Sequence, residues 1–439
     1  MERRTFLKIL SSAGIVSLVS PTFAMEVCKN KVSKSSSALL ESAFRNPPFS
    51  SGVYTWWHWM NGNITKDGIT RDLEAMKANG IAGYQLFEAG SGIPIGPVES
   101  LSDEWVDLIL HTLKESERLG LEFAMHNCPG WSSSGGPWIT PDKAMQIITW
   151  SETKITGGKQ VRIQLPTPKH MFDYYIDTYC LAIPANMKVI PRLSILELSN
   201  RLDKDGVLTW DVPTGEWLIM RFGQTAKDQK NKSAPSKSTG LDCDKFSTEA
   251  LDYHLNCMFK RLMPAMEKIA KHSKIGLLID SYETGDQDWT SDMPAYFEQS
   301  HGYELYPFLP VLANKIVESE ESTKRFLFDF RRVRADMFAE RYYGHFQKRC
   351  KEKGIITYTE PYGGNMMEEL QVAQQLDINM GEFWCGQTVL WANYKYNRTV
   401  KQVASIAHTL GGKVVGAEAF TSEPDADKWL QYPYALKSL

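Results

Sequence analysis

The sequence predicts an α/β fold: a (β/α)8 TIM-type barrel that lacks its last strand and carries a small antiparallel β domain inserted into one loop. Three observations predict it. Short apolar runs alternate with stretches of helical periodicity, the order of βα units around a parallel sheet, and seven such runs begin near residues 53, 82, 121, 275, 355, 377 and 413. Between the third and fourth runs the pattern changes to short alternating segments separated by turn residues. Finally, four of the runs lead into acids. Gly276-Leu277-Leu278-Ile279 meets Asp280-Ser281-Tyr282-Glu283, and Ile355-Ile356-Thr357-Tyr358 runs into Glu360. Asp377-Ile378-Asn379-Met380-Gly381 runs into Glu382, and Lys413-Val414-Val415-Gly416-Ala417 into Glu418. Continuous apolar runs of this length read as strands buried on both faces, and the carboxyl ends of barrel strands are where active sites are built.

Taken in order, the chain opens with Arg3-Arg4-Thr5-Phe6-Leu7-Lys8, an apolar segment from Ile9 to Val19, and Ser20-Pro21-Thr22-Phe23-Ala24. A basic head, a short apolar run and a small residue make an export signal, here similar to the twin-arginine type. Residues 1–24 are therefore set apart from the fold, and the expected location is the periplasm or cell surface of a bacterium. Residues 25–48, rich in Ser and Lys, read as a mobile lead-in.

The first barrel units occupy 49–145. The aromatic run Val53–Met60 is followed by a helix from Asp67 to Asn79, capped by Thr65 and stopped by Gly80. Ile81–Phe87 is a strand ending at Glu88. Ser102 opens a helix that reaches Gly120, and Leu121–His126 leads into the loop Asn127–Trp138. Residues 146–240 form the inserted β-rich segment, closing with the polar, basic stretch Lys227–Gly240, which reads as mobile. The remaining units occupy 241–439, with helical signals at Ser247–His272, in part of Asp288–Leu312, and at Ser319–Lys353, Met366–Gln375 and Val400–Leu410. The expectation is a barrel truncated before its eighth strand, with two open edges.

A net charge of -3 over 439 residues offers nothing to a polyanion, so nucleic acid is not an expected partner. No stretch after the signal is long and apolar enough for stable membrane insertion. The seven cysteines are scattered without a C-x-x-C pair, which argues against a zinc site or a disulfide framework. The 13 Trp and 18 Tyr suit stacking on sugar faces but equally fill cores.

Carboxylates on one rim suit glycoside hydrolysis, in which one acid protonates the leaving oxygen while a second carboxylate activates water or attacks the sugar. A lone strand-end acid is explained as well by an ion pair at a helix start; four in succession are not. Glu88, His126, Asn127 and Trp131 fall on the same rim by the same logic. Spacing alone favours hydrogen-bonded core histidines at His126 and at His58, and Asn127 could bond a sugar hydroxyl or cap the next turn. Trp56 and Trp57, with Trp131, are the candidates to shape a sugar pocket beside Asp280, Tyr282 and Glu360.

The strings YTWWHWMNGNITKDGITRDLEAMKANGIAGYQLFE, GLEFAMHNCPGWSSSGGPWITPDKAMQ, IDSYETG, TEPYGG and GAEAFTS resemble glycoside hydrolase family 106, the α-L-rhamnosidases. The resemblance covers roughly residues 45–439 outside the inserted stretch. It implies inverting hydrolysis of α-L-rhamnosides, on plant-type polysaccharides or glycosides, by a (β/α)8 barrel with appended β-domains and a bound calcium. By motif, Glu283 is the general acid, Glu418 takes the base role, and Glu382 is a further acid that helps to place the water. Members of the family continue well past the point where this chain stops. An inactive carbohydrate-binding remnant and a barrel glycosidase of different sugar specificity are accordingly the alternatives. Inversion calls for the two carboxyl groups to stand about 6.5–9.5 Å apart.

Overall fold

One parallel sheet positions everything described below. In the computed structural model, which describes residues 34–384, 390–412 and 414–421, its strands are β1 (Tyr54–Met60), β2 (Gly83–Ala89), β3 (Glu122–His126), β4 (Ile275–Ile279), β5 (Ile356–Thr359), β6 (Ile378–Trp384) and β7 (Gly416–Thr421). They pair in chain order, every pair parallel. Helices follow in the connections, as parallel pairing requires.

The sheet is curled. Gln85 on β2 lies with its Nε2 3.2 Å from Met380 Sδ on β6. A flat sheet would hold strands four steps apart at roughly 19 Å. Bending brings the inner faces of the early and late strands together, and β1 and β7 are the two edges among the described residues.

Local sequence explains the units. Thr65 Oγ1 accepts from Gly68 N at 3.1 Å and starts the helix Lys66–Ala78, which buries Ile69 and Leu73 against the sheet. Ser102 caps the helix Asp103–Leu119 in the same way, and Gly120 ends it in the left-handed conformation at φ 66°, where a side chain would be strained. β4 is buried along its whole length, as its unbroken apolar sequence predicts. The long helical stretch is continuous: Glu320–Met337 passes through a π-helical turn, Phe338–Gly344, into His345–Lys351. That turn buries Tyr342 and Tyr343 beneath the loop after β3, and Tyr342 donates a hydrogen bond to Ser133 O.

Between β3 and β4 the strands pair antiparallel, except Val189–Ile190, which pairs parallel with Ile316–Val317. Gln146–Thr156, Glu216–Ala226, Ile176–Pro184 and Leu196–Glu197 form one sheet, in that spatial order, and Lys159–Gln164 pairs with Val207–Val212. Leu165, Cys180, Leu208, Trp210 and Ile219 make a small core between them. Leu181, Leu218, Met220 and Phe222 belong instead to the main core, so this segment packs onto the units of the parallel sheet through one face.

Several expectations differ from the structure. Residues 34–45 of the lead-in are helical. The stretch 227–240 is tied down rather than loose: buried Asn231 donates to Pro129 O and Ser238 O, and its Oδ1 accepts from Gly240 N. Polar composition suggested mobility, but those polar groups bond the protein instead of water. The helix after β5 is only Glu369–Ala373. Glu382 and Glu418 lie inside β6 and β7 rather than beyond their ends. The export signal at 1–24 and Lys413, the expected start of β7, lie outside the described residues. Among the described residues no helix is long and apolar enough to cross a membrane.

Candidate active site

The carboxyl ends of the strands surround a cleft of about 780 Å³. Trp56 and His58 of β1, Phe87 of β2 and Trp131 from the loop after β3 make one wall; Glu382 and Trp384 of β6 and Glu418 of β7 make the other. The turn Asp280–Glu283 after β4 lies between them. Trp56 is held by its indole N–H, which donates to Gln85 Oε1 at 2.8 Å.

The floor is a pair of buried acids. Asp280 Oδ1 accepts from Ser281 N at 2.7 Å, and Glu360 Oε2 accepts from the Tyr362 hydroxyl at 2.5 Å. Among the described residues Glu360 Oε1 finds no donor, and both side chains are buried. Burial drives both carboxyls up: Glu360 rises well above the carboxylate range, with Asp280 and Glu418 adding repulsion, and Asp280 rises to about 7. Two carboxylates this close cannot both ionise cheaply. A proton kept on Glu360 and shared with Asp280 satisfies the pair.

Above the floor are three more acids. Glu382 and Glu418 are direct neighbours across the β6–β7 ladder. Glu382 accepts from the Trp384 indole and Glu418 from the Thr421 hydroxyl. Burial raises Glu418 to about 8, with Glu382, Asp280 and Glu283 adding repulsion. Glu283, in the turn after β4, has its Oε2 accepting from Trp131 Nε1 at 2.7 Å and Lys232 Nζ at 3.0 Å.

The chain matches the model of glycoside hydrolase family 106, described as alpha-L-rhamnosidase, over residues 45–179 and 169–439. It belongs to that family. A protein of Formosa agariphila that carries the provisional name beta-glucuronidase is 41% identical over 431 residues, 91% of this chain and 36% of its own length. The solved structure of a rhamnosidase from Novosphingobium sp. PP1Y superimposes with a TM-score of 0.77 at 24% identity, over 87% of this chain and 53% of that one. The chain thus spans about a third to a half of the length of these relatives. Glycoside hydrolysis is the activity for which that family is named.

Of the residues singled out from the sequence of this family 106 member, Trp56, His58, Trp131, Asp280, Tyr282, Glu283, Glu382 and Glu418 line the cleft, and Glu360 lies beneath it. Others do not reach it. Side chains alternate along a strand, so with Trp56 and His58 inside, Trp57 points outward and donates to Asp72 Oδ2 on the first helix at 3.0 Å. With Phe87 inside, Glu88 likewise points outward, accepting from Ser100 Oγ at 2.8 Å and Trp105 Nε1 at 2.9 Å. His126 is buried under the wall, its ring stacked on Phe87 at 4.5 Å. Burial pulls it down to about 3, so it is neutral and its 3.6 Å approach to Asp280 is no ion pair. Asn127 is structural: its N donates to Leu278 O and its Nδ2 to the Tyr342 hydroxyl. Sequence reasoning missed Lys232, Trp384 and Arg398, which line the cleft from segments read as loop or helix. Among the described residues no group of three or more His, Cys, Asp or Glu side chains is arranged to hold a metal ion. No step below passes through the calcium that the resemblance implies.

Glu88 yields a stability prediction. Burial raises its carboxyl from 4.5 to about 7 in the fold, so the folded state holds a proton that the unfolded chain releases. That contribution is present below pH 4.5 and is lost as pH rises towards 7. Glu88→Gln, which keeps the acceptor for Ser100 and Trp105, should gain about 3 kcal/mol relative to wild type between pH 4.5 and pH 8 in denaturant titrations. An unchanged difference between the two proteins would contradict this.

Proposed function

We propose that the protein is an exported α-L-rhamnosidase, acting in the periplasm or at the cell surface, that removes terminal rhamnose from plant-type polysaccharides or glycosides with inversion at the anomeric carbon. Its seven parallel strands would belong to a (β/α)8 barrel, with 146–240 as an inserted β domain. The observation that carries the reading is that Glu283, Glu418 and Glu382 line one cleft, the last two as direct neighbours across the β6–β7 ladder. Glu283 gives its proton to the glycosidic oxygen as the bond to C1 breaks. Water attacks C1 from the opposite face, and Glu418 takes its proton while Glu382 orients it. Trp56 and Trp131 offer apolar ring surface to the sugar.

A second reading, cleavage of a glucuronide, draws on the name of the Formosa relative and on Arg398, an exposed cation in the cleft paired only loosely with Glu369 at 3.8 Å. Both readings meet one experiment. The purified protein is offered aryl α-L-rhamnoside and aryl β-D-glucuronide, and the configuration of the first-formed sugar is read by proton NMR. Turnover of the rhamnoside with inverted product, reduced at least about a hundredfold in Glu283→Gln and Glu418→Gln, is the expected result. Retained configuration, or turnover of the glucuronide alone, contradicts the proposal.

The charge state of Glu418 sets the pH dependence. Burial and neighbouring charge raise Glu418 to about 8 in the free cleft, so the limb of the kcat/KM profile that Glu418 sets should fall near that pH. Removing the neighbouring charge with Glu382→Gln lowers the pKa of Glu418, and that limb of the residual activity should move to lower pH. A limb that stays in place argues against Glu418 as the base.

A further inference from the structure

We propose that Lys232 is a positioning residue for the proton donor, acting on Glu283 jointly with Trp131; this rests on the reading of Glu283 as the general acid. Lys232 comes from the segment that follows the antiparallel sheet, far in sequence from the strand-end acids. Its backbone is stitched to the loop that carries Trp131. Trp131 N donates to Lys232 O at 3.2 Å, and Lys232 N donates to Ser132 Oγ. Gly130 makes the approach possible, because a Cβ there would lie 2.1 Å from Lys232 O. The two side chains that hold Glu283 are thus parts of one hydrogen-bonded unit.

Both donors address the same oxygen. The Trp131 indole reaches Glu283 Oε2 at 2.7 Å and the Lys232 ammonium reaches it at 3.0 Å. Among the described residues Oε1 takes no hydrogen bond, and it is the oxygen left to carry the proton towards a glycosidic oxygen. As the O–H bond of Glu283 breaks, a new O–H bond forms on the leaving oxygen, which also keeps the electron pair of the severed C1–O bond. Water supplies the replacement bond at C1 and passes its proton to Glu418. Negative charge therefore appears on the Glu283 carboxylate during the step, and a cation and an N–H already stand against it. Donors fixed where charge develops favour the transition state over the ground state, and bonds to an ionised carboxylate are stronger than bonds to a neutral acid.

In the free protein this pair is a half-exposed contact, with side-chain exposures of 49% for Lys232 and 40% for Glu283. Such a pair adds little to folding. A substrate that fills the cleft displaces water from it and raises its weight in the reaction. The role is therefore visible in catalysis and almost silent in stability.

The test is kcat and KM for a series of aryl α-L-rhamnosides running from phenyl to dinitrophenyl leaving groups. The proteins are wild type, Lys232→Met, Lys232→Arg and Glu283→Gln, each checked for unchanged thermal unfolding. Lys232→Met should lose about tenfold to a hundredfold in kcat on the phenyl glycoside. The loss should shrink to within about threefold on the dinitrophenyl glycoside, which needs no protonation to leave. Lys232→Arg should recover most of the rate, and Glu283→Gln should show the same trend more steeply. A Lys232→Met loss that is equal across leaving groups, or confined to KM, overturns the proposal while the Glu283→Gln trend keeps the acid assignment. A flat loss in Glu283→Gln overturns the acid assignment itself.

Discussion

Electrostatic crowding is the constraint on which the cleft depends. Asp280, Glu283, Glu360, Glu382 and Glu418 are gathered at one end of a curled sheet. Coulomb repulsion and lost hydration both oppose ionising all of them. The structure answers by holding protons on the deepest groups: Glu360 is driven well above the carboxylate range, Asp280 to about 7 and Glu418 to about 8. Glu283, nearest to solvent, is met by a cation and an indole N–H instead. Glycoside hydrolysis uses acids of unlike charge state, and the proposed roles need the proton that the free cleft holds on Glu418 to stand on Glu283 once substrate is bound.

The backbone makes this crowding possible. The strands present acids inward only where the period-two alternation permits, and the curl turns those inward faces towards each other. Close packing of the turns does the rest. Tyr282 N donates to Tyr362 O at 2.9 Å, joining the turns after β4 and β5, and a Cβ on Gly363 would lie 2.4 Å from Tyr282 O. Below, Tyr342 ties the loop after β3 to the π-helical turn, and buried Lys245 pairs with Asp242 and reaches Ser134 Oγ at 2.7 Å in the same loop. Trp131 therefore stands on a floor fixed from underneath, and Glu283 inherits that fixity through it.

Much of this was legible in the sequence. An apolar run that breaks into acids marks a strand end whatever the tertiary structure, which is why Asp280, Glu283 and Glu360 were found from residues alone. The parallel units were readable because caps such as Thr65 and Ser102, and stops such as Gly120, sit at helix ends. Side-chain phase was not readable. A one-residue change in register exchanges the faces of a strand, so Trp57 and Glu88 looked as available to a sugar as Trp56 and Phe87. Lys232 was hidden for another reason: its partner is brought to it by a long antiparallel excursion, and local composition carries no trace of that meeting. His126 is the core histidine that its spacing suggested but not a hydrogen-bonded one: among the described residues neither ring nitrogen has a hydrogen-bond partner, and burial holds it neutral.

The most direct test of the account is a crystal structure of Glu283→Gln soaked with an intact α-L-rhamnoside. The account places the sugar in the cleft against Trp56 and Trp131, with the leaving oxygen within hydrogen-bond reach of residue 283. The opposite face of C1 should be turned towards Glu418, with room for one water. A sugar bound outside this cleft, or bound within it with C1 turned away from both walls, would contradict the central claim that these opposed acids are the catalytic machinery.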